Sequence, residues 1–279
     1  MTAVQYTAGM PLDVVARVTA NDALSSDFTV LALHAPAIAA ASLPGQFVMI
    51  KAAAGFDPLL RRPFSIFEIL RDASGAPVGF SILCKRIGPA TTKLYDARPG
   101  QDMAVLGPLG RGFTQVDPPT EAWMVAGGVG LAPFAELAQA LQARGTRTVL
   151  FYGARRATEL FYLDWFAARG VELVLTTEDG SRGEPGRVVA PLDRRLLAMP
   201  AAAPVQVYAC GPEGMLKAVA ATAASHERPC EVSVERIMGC GMGGCYSCIV
   251  PMKDGHGRYH HVRSCLAGPV LDAAEVVWE

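Results

Sequence analysis

The sequence predicts a multidomain protein of β and α/β class: a β-rich N-terminal half, a parallel α/β half, and a small cysteine-rich C-terminal piece. Three observations carry this. The chain has 279 residues, enough for roughly two cores at about 150 residues per domain. Its apolar pattern changes near Asp117–Glu121 from short strands to strands alternating with helices. Four of its 7 cysteines crowd together near the C-terminus, at Cys240, Cys245, Cys248 and Cys265.

Composition excludes several function classes. Gly (28) and Pro (20) stay below the share that marks low-complexity disorder, and 51% of residues are apolar, so the chain should fold. Lys and Arg (25) nearly balance Asp and Glu (26), leaving a net charge of -1 without the basic excess of a nucleic-acid binder. Mean hydropathy is high at +0.26, yet no uncharged apolar run reaches the roughly 18 residues a bilayer span needs. The surplus apolar character is expected in cores, cofactor clefts or a subunit interface. The opening MTAVQYTAGMPLDVVARV has neither a basic n-region nor an apolar h-region, so a cytoplasmic protein is expected.

Residues 1–116 read as short strands over Asp13–Val18, Phe28–Leu33, Gln46–Ile50, Phe64–Ile69, Val78–Lys85 and Asp102–Leu106, with one helical stretch at Ala90–Tyr95. That spacing predicts a sandwich or barrel. Over 117–228 the strands Trp123–Ala126, Thr148–Tyr152, Val171–Thr176 and Val205–Ala209 alternate with helices at Ala132–Arg144, Leu160–Ala168 and Glu213–Ser225. Such alternation implies a parallel sheet with right-handed crossovers. Residues 229–279 are too few for a core without a metal or a neighbour.

The cysteines have the form C-x4-C-x2-C-x16-C. Four thiolates at this spacing suit a [2Fe-2S] cluster, and Gly241, Gly243 and Gly244 would let backbone N–H groups approach its sulfides. Tetrahedral zinc is the alternative, although zinc ribbons generally use two C-x2-C pairs and only one is present. Cys84, Cys210 and Cys230 stand apart and read as small buried hydrophobes. The adjacent His260 and His261 read as surface residues rather than ligands.

Two glycine turns follow apolar strands and open helices. One is Gly127-Gly128-Val129-Gly130, the other Cys210-Gly211-Pro212. Either is by itself compatible with an ordinary tight turn. Together, beyond the carboxyl ends of strands in one sheet, they describe a crevice where a pyrophosphate meets a helix N-terminus. In the β half, Arg61-Arg62-Pro63-Phe64-Ser65 offers a guanidinium for a diphosphate, a ring for a flat heterocycle and a hydroxyl for a flavin nitrogen. A surface Arg beside a buried Phe is the plainer reading. Lys85 to Thr92 adds basic residues, the Gly88 turn and hydroxyls that serve either a phosphate or a helix N-cap.

Read in order, RRPFS, KRIGPATTKL, LGPLGRGF, AGGVGLAPF, YACGP and the cysteine loop resemble the ferredoxin-NADP reductase superfamily over nearly the whole chain. The ferredoxin-type loop, with LGPLGRGF and TEDGS continuing to Gly183 and Gly186, narrows the resemblance to electron-transfer subunits of NAD-dependent (class 1B) dihydroorotate dehydrogenases. The resemblance implies an N-terminal antiparallel flavin-binding β-barrel, a Rossmann-like parallel α/β NAD-binding domain and a C-terminal [2Fe-2S] domain. By the same resemblance, Arg62, Pro63, Phe64 and Ser65 hold FAD, with Arg62 on the pyrophosphate and Ser65 as a catalytic residue near the reactive N5. Leu83, Cys84 and Lys85 line the flavin, and Gly88, Ala90 and Thr91 its phosphate side. Gly127, Gly128, Val129 and Gly130 carry the NAD pyrophosphate; Gly211, Pro212 and a second catalytic residue, Cys210, border the nicotinamide. Cys240, Cys245, Cys248 and Cys265 become the cluster ligands.

Two departures qualify this. Ala90 stands where the family usually has a second glycine, which would crowd a phosphate. Arg155 and Arg156, beyond the strand ending at Tyr152, could reach a 2′-phosphate and so admit NADP. The implied function is an oxidoreductase electron-transfer subunit of pyrimidine biosynthesis: electrons from an FMN-containing catalytic partner cross the cluster singly and leave FAD as hydride to NAD, in a heterotetramer with two of each chain. The same relay would serve another partner, such as a bifurcating ferredoxin-NADP reductase, a hydrogenase or a pyrimidine reductase. A zinc-stapled nucleotide sensor is the non-enzymatic alternative.

Overall fold

The computed structural model describes residues 10–200 and 202–278; the first nine residues, which enter the expectation about a leader, lie outside it. Two compact units are present. One comprises residues through Gly112 together with Arg236–Ile249 and Val262–Pro269, the other Phe113–Glu235 with Val250–His261 and the residues from Val270 on.

Alternation builds the first unit. Strand β1 (Leu12–Ala23) turns Ala16 and Val18 inward and leaves Val15 and Arg17 outside. It is followed by β2 (Phe28–His34), helix α1 (Pro36–Ala41), β3 (Phe47–Lys51), β4 (Arg62–Ser65), β5 (Glu68–Arg71), β6 (Pro77–Lys85), helix α2 (Pro89–Tyr95) and β7 (Asp102–Leu109). The sheet order is β4-β3-β7-β1-β2-β6-β5, antiparallel throughout. The single strand expected over Phe64–Ile69 is two strands. β4 and β5 lie at opposite ends of the sheet order, and buried Ile66 and Phe67 cross between them, Ile66 N–H bonding Gln46 O and Phe67 N–H bonding Ser81 O. This crossing curls the sheet around a core that includes Leu31, Leu33, Ile38, Ile50, Phe80 and Ile82. Helix α1, too short to show a helical period, was not foreseen.

In the second unit β8 (Glu121–Gly127), β9 (Thr148–Ala154), β10 (Glu172–Thr177) and β12 (Val205–Cys210) are the parallel core, with a two-residue β11 (Glu184–Pro185) at one edge. Helices α3 (Phe134–Ala143), α4 (Leu163–Ala167), α5 (Val189–Ala198) and α6 (Glu213–Ser225) link them. Two helices start later than expected: a 3-10 turn occupies Gly128–Leu131 ahead of α3, and Tyr162 takes a left-handed φ of 59° before α4. Helix α5 was not anticipated. The strand order is β11-β10-β9-β8-β12-β13-β16.

Residues 229–279 are divided between the units rather than forming a body of their own. β13 (Cys230–Ser233) continues the parallel sheet beside β12, and β16 (Val270–Asp272) adds an antiparallel edge. Between them run the cysteine loop, the hairpin β14 (Ile249–Lys253) and β15 (Tyr259–Arg263), and the single-turn helix α7 (Ser264–Ala267). So short a segment buries too little to stand alone, and it borrows both cores. His260 and His261 are exposed, on a strand rather than in a loop. No helix among the described residues is long and apolar enough to cross a membrane.

Candidate functional site

The cysteine loop brings its four thiols together in two pairs. Cys240 hydrogen-bonds Cys245, and Cys248 hydrogen-bonds Cys265. Among the described residues no three His, Cys, Asp or Glu side chains surround a single ion-sized point. Cys240 also acts on Cys265 across the loop, and four thiols gathered in this way could hold a [2Fe-2S] cluster. Burial differs across the set. Cys245 is exposed, and hydrogen bonds from Ser247 and Cys240 hold its thiol down at about 6. Cys265 is buried, and burial beside Cys248 pushes it up to about 12. Metal binding deprotonates such a thiol outright, so loading the site releases protons.

Backbone donors already point at sulfur. Met242 N–H lies 3.4 Å from Cys240 Sγ, and Gly243 N–H bonds the Cys265 thiol. Gly241 and Gly243 take φ of 73° and 81°, as the loop requires; Gly244 does not, and the third left-handed residue is Tyr246 at 58°. A tyrosine there stores about 1 kcal/mol or more. The loop is seated on the barrel: Cys248 and Cys265 pack with Phe47, Met49, Leu106, Leu109 and Met238. Gly110 explains part of the LGPLGRGF motif. A Cβ there would lie 2.5 Å from Gly268 O and 2.9 Å from the Phe47 ring. Arg111 N–H bonds the same Gly268 carbonyl, three residues past the last cysteine.

The residues expected to hold a flavin lie on β4, the end of β6 and the start of α2. Arg61 is neutralised by Asp13 at 2.8 Å. Arg62 bonds only the carbonyls of Leu60 and Arg61 and has no carboxylate partner among the described residues, which leaves its charge for an anion. Ser65 Oγ, half-buried, likewise makes no hydrogen bond among the described residues. Pro63 and Phe64 are half-buried beside them. Leu83 and Cys84 are buried; Cys84 sits in the barrel core, its thiol pushed up to about 12 by burial. Lys85 lies over the Phe28 ring at 5.1 Å.

Around α2 the chain uses its hydroxyl locally. Thr91 Oγ1 accepts from Ile87 and Gly88 N–H and donates to Gly88 O. Its side chain is a cap, and any anion contact falls to the backbone. The Ala90 methyl is buried in the core, so the substitution for glycine does not crowd the outer side of the turn.

The two glycine turns meet at the ends of adjacent strands β8 and β12, where the strand order reverses. In open α/β sheets this switch point is where ligands bind. The turns touch backbone to backbone: a Cβ on Gly130 would lie 2.1 Å from Cys210 O, and one on Gly211 would lie 3.1 Å from Gly127 Cα. A Cβ on Gly127 would strike Met215 and Pro212. Gly128 has φ of 54° with open space around it, and Val129 is half-buried beside it. Cys210 bonds Ser233, and burial pushes its thiol up to about 12, so it is neutral. At the end of β10, Asp179 is held below the usual carboxylate range by Ser181, with Arg156 adding to the effect. Ser247, Gly239, Tyr246 and Arg263 carry weight in the cysteine loop that no spacing rule marks.

Comparison with solved structures defines the class. A chain from an NADH-dependent reduced ferredoxin-NADP oxidoreductase, studied for flavin-based electron bifurcation, matches with TM-score 0.81 at 26% identity, covering 95% of this chain and 90% of that one. A ferredoxin NADP+ reductase from Neisseria gonorrhoeae with bound FAD and NADP matches with TM-score 0.64 at 17% identity over 77% and 91% of the two chains. The fold is that of the ferredoxin reductases.

Family models then match an oxidoreductase NAD-binding domain over residues 124–221 and the iron-sulfur cluster binding domain of dihydroorotate dehydrogenase B over 235–277. The electron transfer subunit of dihydroorotate dehydrogenase B (NAD(+)) from Desulforamulus reducens is 37% identical, covering 88% of this chain and 90% of that protein. The subunit of the same name from Geobacillus kaustophilus is 39% identical over 84% and 86%. The chain belongs to the family of electron transfer subunits of NAD-dependent dihydroorotate dehydrogenase B.

Proposed function

We propose that this chain carries electrons between an FMN-containing dihydroorotate dehydrogenase subunit and NAD, in pyrimidine biosynthesis, as two copies of each chain in a cytoplasmic heterotetramer. The observation that carries the reading is the gathering of four thiols in two pairs with peptide N–H groups directed at sulfur. When bound, FAD supplies the exchange between single electrons and a hydride, and a [2Fe-2S] cluster supplies one-electron passage.

The chain's own residues bind and orient. Arg62, with its uncompensated charge, takes the FAD pyrophosphate. Pro63 and Phe64 support the ring system, and the free Ser65 hydroxyl hydrogen-bonds near N5. Leu83, Lys85 and the backbone of Cys84 line the flavin, while backbone N–H groups from Gly88 through Ala90 to Thr91 face its phosphates. Gly127, Gly128, Val129 and Gly130 admit the NAD pyrophosphate to the end of β8. Cys210, as a neutral thiol, borders the nicotinamide with Gly211 and Pro212 and gives it a surface of low polarity. Cys240, Cys245, Cys248 and Cys265 hold the cluster. NAD is favoured over NADP because Asp179 partly offsets the Arg156 charge that a 2′-phosphate would need.

The test is purification with the native partner. Expected are FAD, about two irons per chain, an EPR signal on reduction, NADH-dependent dye reduction, and a co-purifying FMN dehydrogenase. Zinc in place of iron would refute the relay. A hydrogenase or a second iron-sulfur flavoprotein in place of the FMN dehydrogenase would refute the partner and leave the relay standing.

A further inference from the structure

The thiols come from two chain segments, the loop carrying Cys240, Cys245 and Cys248, and the short helix α7 carrying Cys265. Three links join them. Ser264 N–H donates to Cys248 O at 2.9 Å, and Gly243 N–H bonds the Cys265 thiol. The third is Arg263: its Nη1 donates to Gly243 O at 2.9 Å, and its guanidinium carbon sits 4.8 Å over the Tyr246 ring. One side chain therefore holds residues on either side of Cys245, including the left-handed Tyr246. No carboxylate among the described residues pairs with it. A half-buried guanidinium without an acidic partner among the described residues, two residues before Cys265 and bonded to the loop that carries the other three thiols, is a cation in search of negative charge.

We propose that Arg263 is a positioning residue and built-in counter-charge of the cysteine site, clamping Gly243 and Tyr246 across the loop and raising the potential at which the bound cluster accepts its electron. The inference rests on the reading of the four cysteines as cluster ligands. The physical reason is direct. Thiolate-bound iron-sulfur is anionic, and reduction adds one more negative charge, so a fixed nearby cation stabilises the reduced form more than the oxidised one. Lysine can restore the charge and a single hydrogen bond. It cannot restore the flat stacking on Tyr246.

The test compares Arg263→Met and Arg263→Lys with the native protein, each purified with its partner, by EPR-monitored redox titration, with iron and FAD measured in parallel. Expected is a cluster potential shifted to more negative values in the Met variant, with the Lys variant recovering most of the shift while its EPR line shape departs from native. A Met variant titrating at the native potential overturns the proposal, as does a Lys variant shifted as far as the Met one. Should the Met variant fail to retain iron, the Lys variant decides. A loaded Lys site near the native potential supports the counter-charge, and a Lys site that loads but titrates away from that potential, or loses its iron as the Met one does, overturns the claim that charge at position 263 is what the site needs. Iron missing from the native protein itself would instead refute the underlying reading of the cysteines.

Discussion

The cysteine loop and the paired glycine turns are both glycine-rich, and they use glycine for opposite ends. In the loop, Gly241 and Gly243 bend the chain so that thiols meet, their bare Cα atoms fitting against Met49 and Leu266. In the turns, Gly130 and Gly211 remove side chains so that two backbones meet. The first site is made by what its residues carry, the second by what they lack. Substitutions should therefore act on the loop through chemistry and on the turns through shape.

The largest effect is expected from Cys248→Ala, which removes a buried thiol, a proposed cluster ligand, at the centre of the barrel contact. Iron content and the EPR signal of the reduced protein should fall to background while flavin is retained; an intact signal would break the contrast at its chemical end. Gly130→Ala comes next. Its methyl would stand 2.1 Å from Cys210 O, a contact no side-chain rotation relieves. The Kd for NADH should rise by at least tenfold, on the order of 1.4 kcal/mol or more, with the iron signal unaltered. Gly128→Ala, in open space but at φ of 54°, should cost only about 1 kcal/mol. Equal effects at the two glycines would show that shape is not what matters.

A pH effect follows from three thiols outside the loop. Burial pushes Cys84, Cys210 and Cys230 up to about 12. An unfolded cysteine ionises near 8.5. Above that pH the unfolded chain binds fewer protons than the folded one, so stability falls as pH rises from about 8.5 toward 12, by as much as about 1.4 kcal/mol per unit for each thiol. The unfolding midpoint should decline from pH 8.5 to 10, and Cys84→Ala should flatten the decline while lowering stability overall. The smallest change is expected for Ser264→Ala. This hydroxyl, next to Cys265, is fully buried and has no hydrogen-bond partner among the described residues. Removing it should leave the thermal midpoint unchanged or slightly raised; a loss of iron on this substitution would mean that the hydroxyl bonds the cluster.

The same contrast explains what could be read in the sequence. The four cysteines could be singled out because their spacing survives in one dimension, and thiolate chemistry asks for four. The parallel sheet was legible through its alternation of apolar strands and helices, and the end of β8 through its glycines. Arg62 was chosen over Arg61 by resemblance alone; the physical difference, Asp13 taking Arg61 and leaving Arg62, is visible only in three dimensions. For Thr91 the sequence left phosphate contact and N-cap open; its hydroxyl caps the turn and the Ala90 methyl enters the core, a division of side chain from backbone that sequence does not display. Arg263 and Tyr246 were invisible, since no periodicity marks a cation reaching back across twenty residues. Residues 229–279 were expected as a small cysteine-rich C-terminal piece; in the structure β13 and β16 pair with each other at the edge of the parallel sheet and β14 pairs with β15.

The hairpin β14–β15 leaves the cysteine site after Cys248 and returns just before Cys265, and its two ends are tied at the base by Ser264 N–H on Cys248 O. Its tip, Gly255 to Gly257, is exposed and has open space around both glycines. A peptide handle or surface anchor grafted at that tip would hang from a hairpin whose two strands run directly from Cys248 and back to Cys265 along the chain, giving an attachment point for wiring the protein to an electrode.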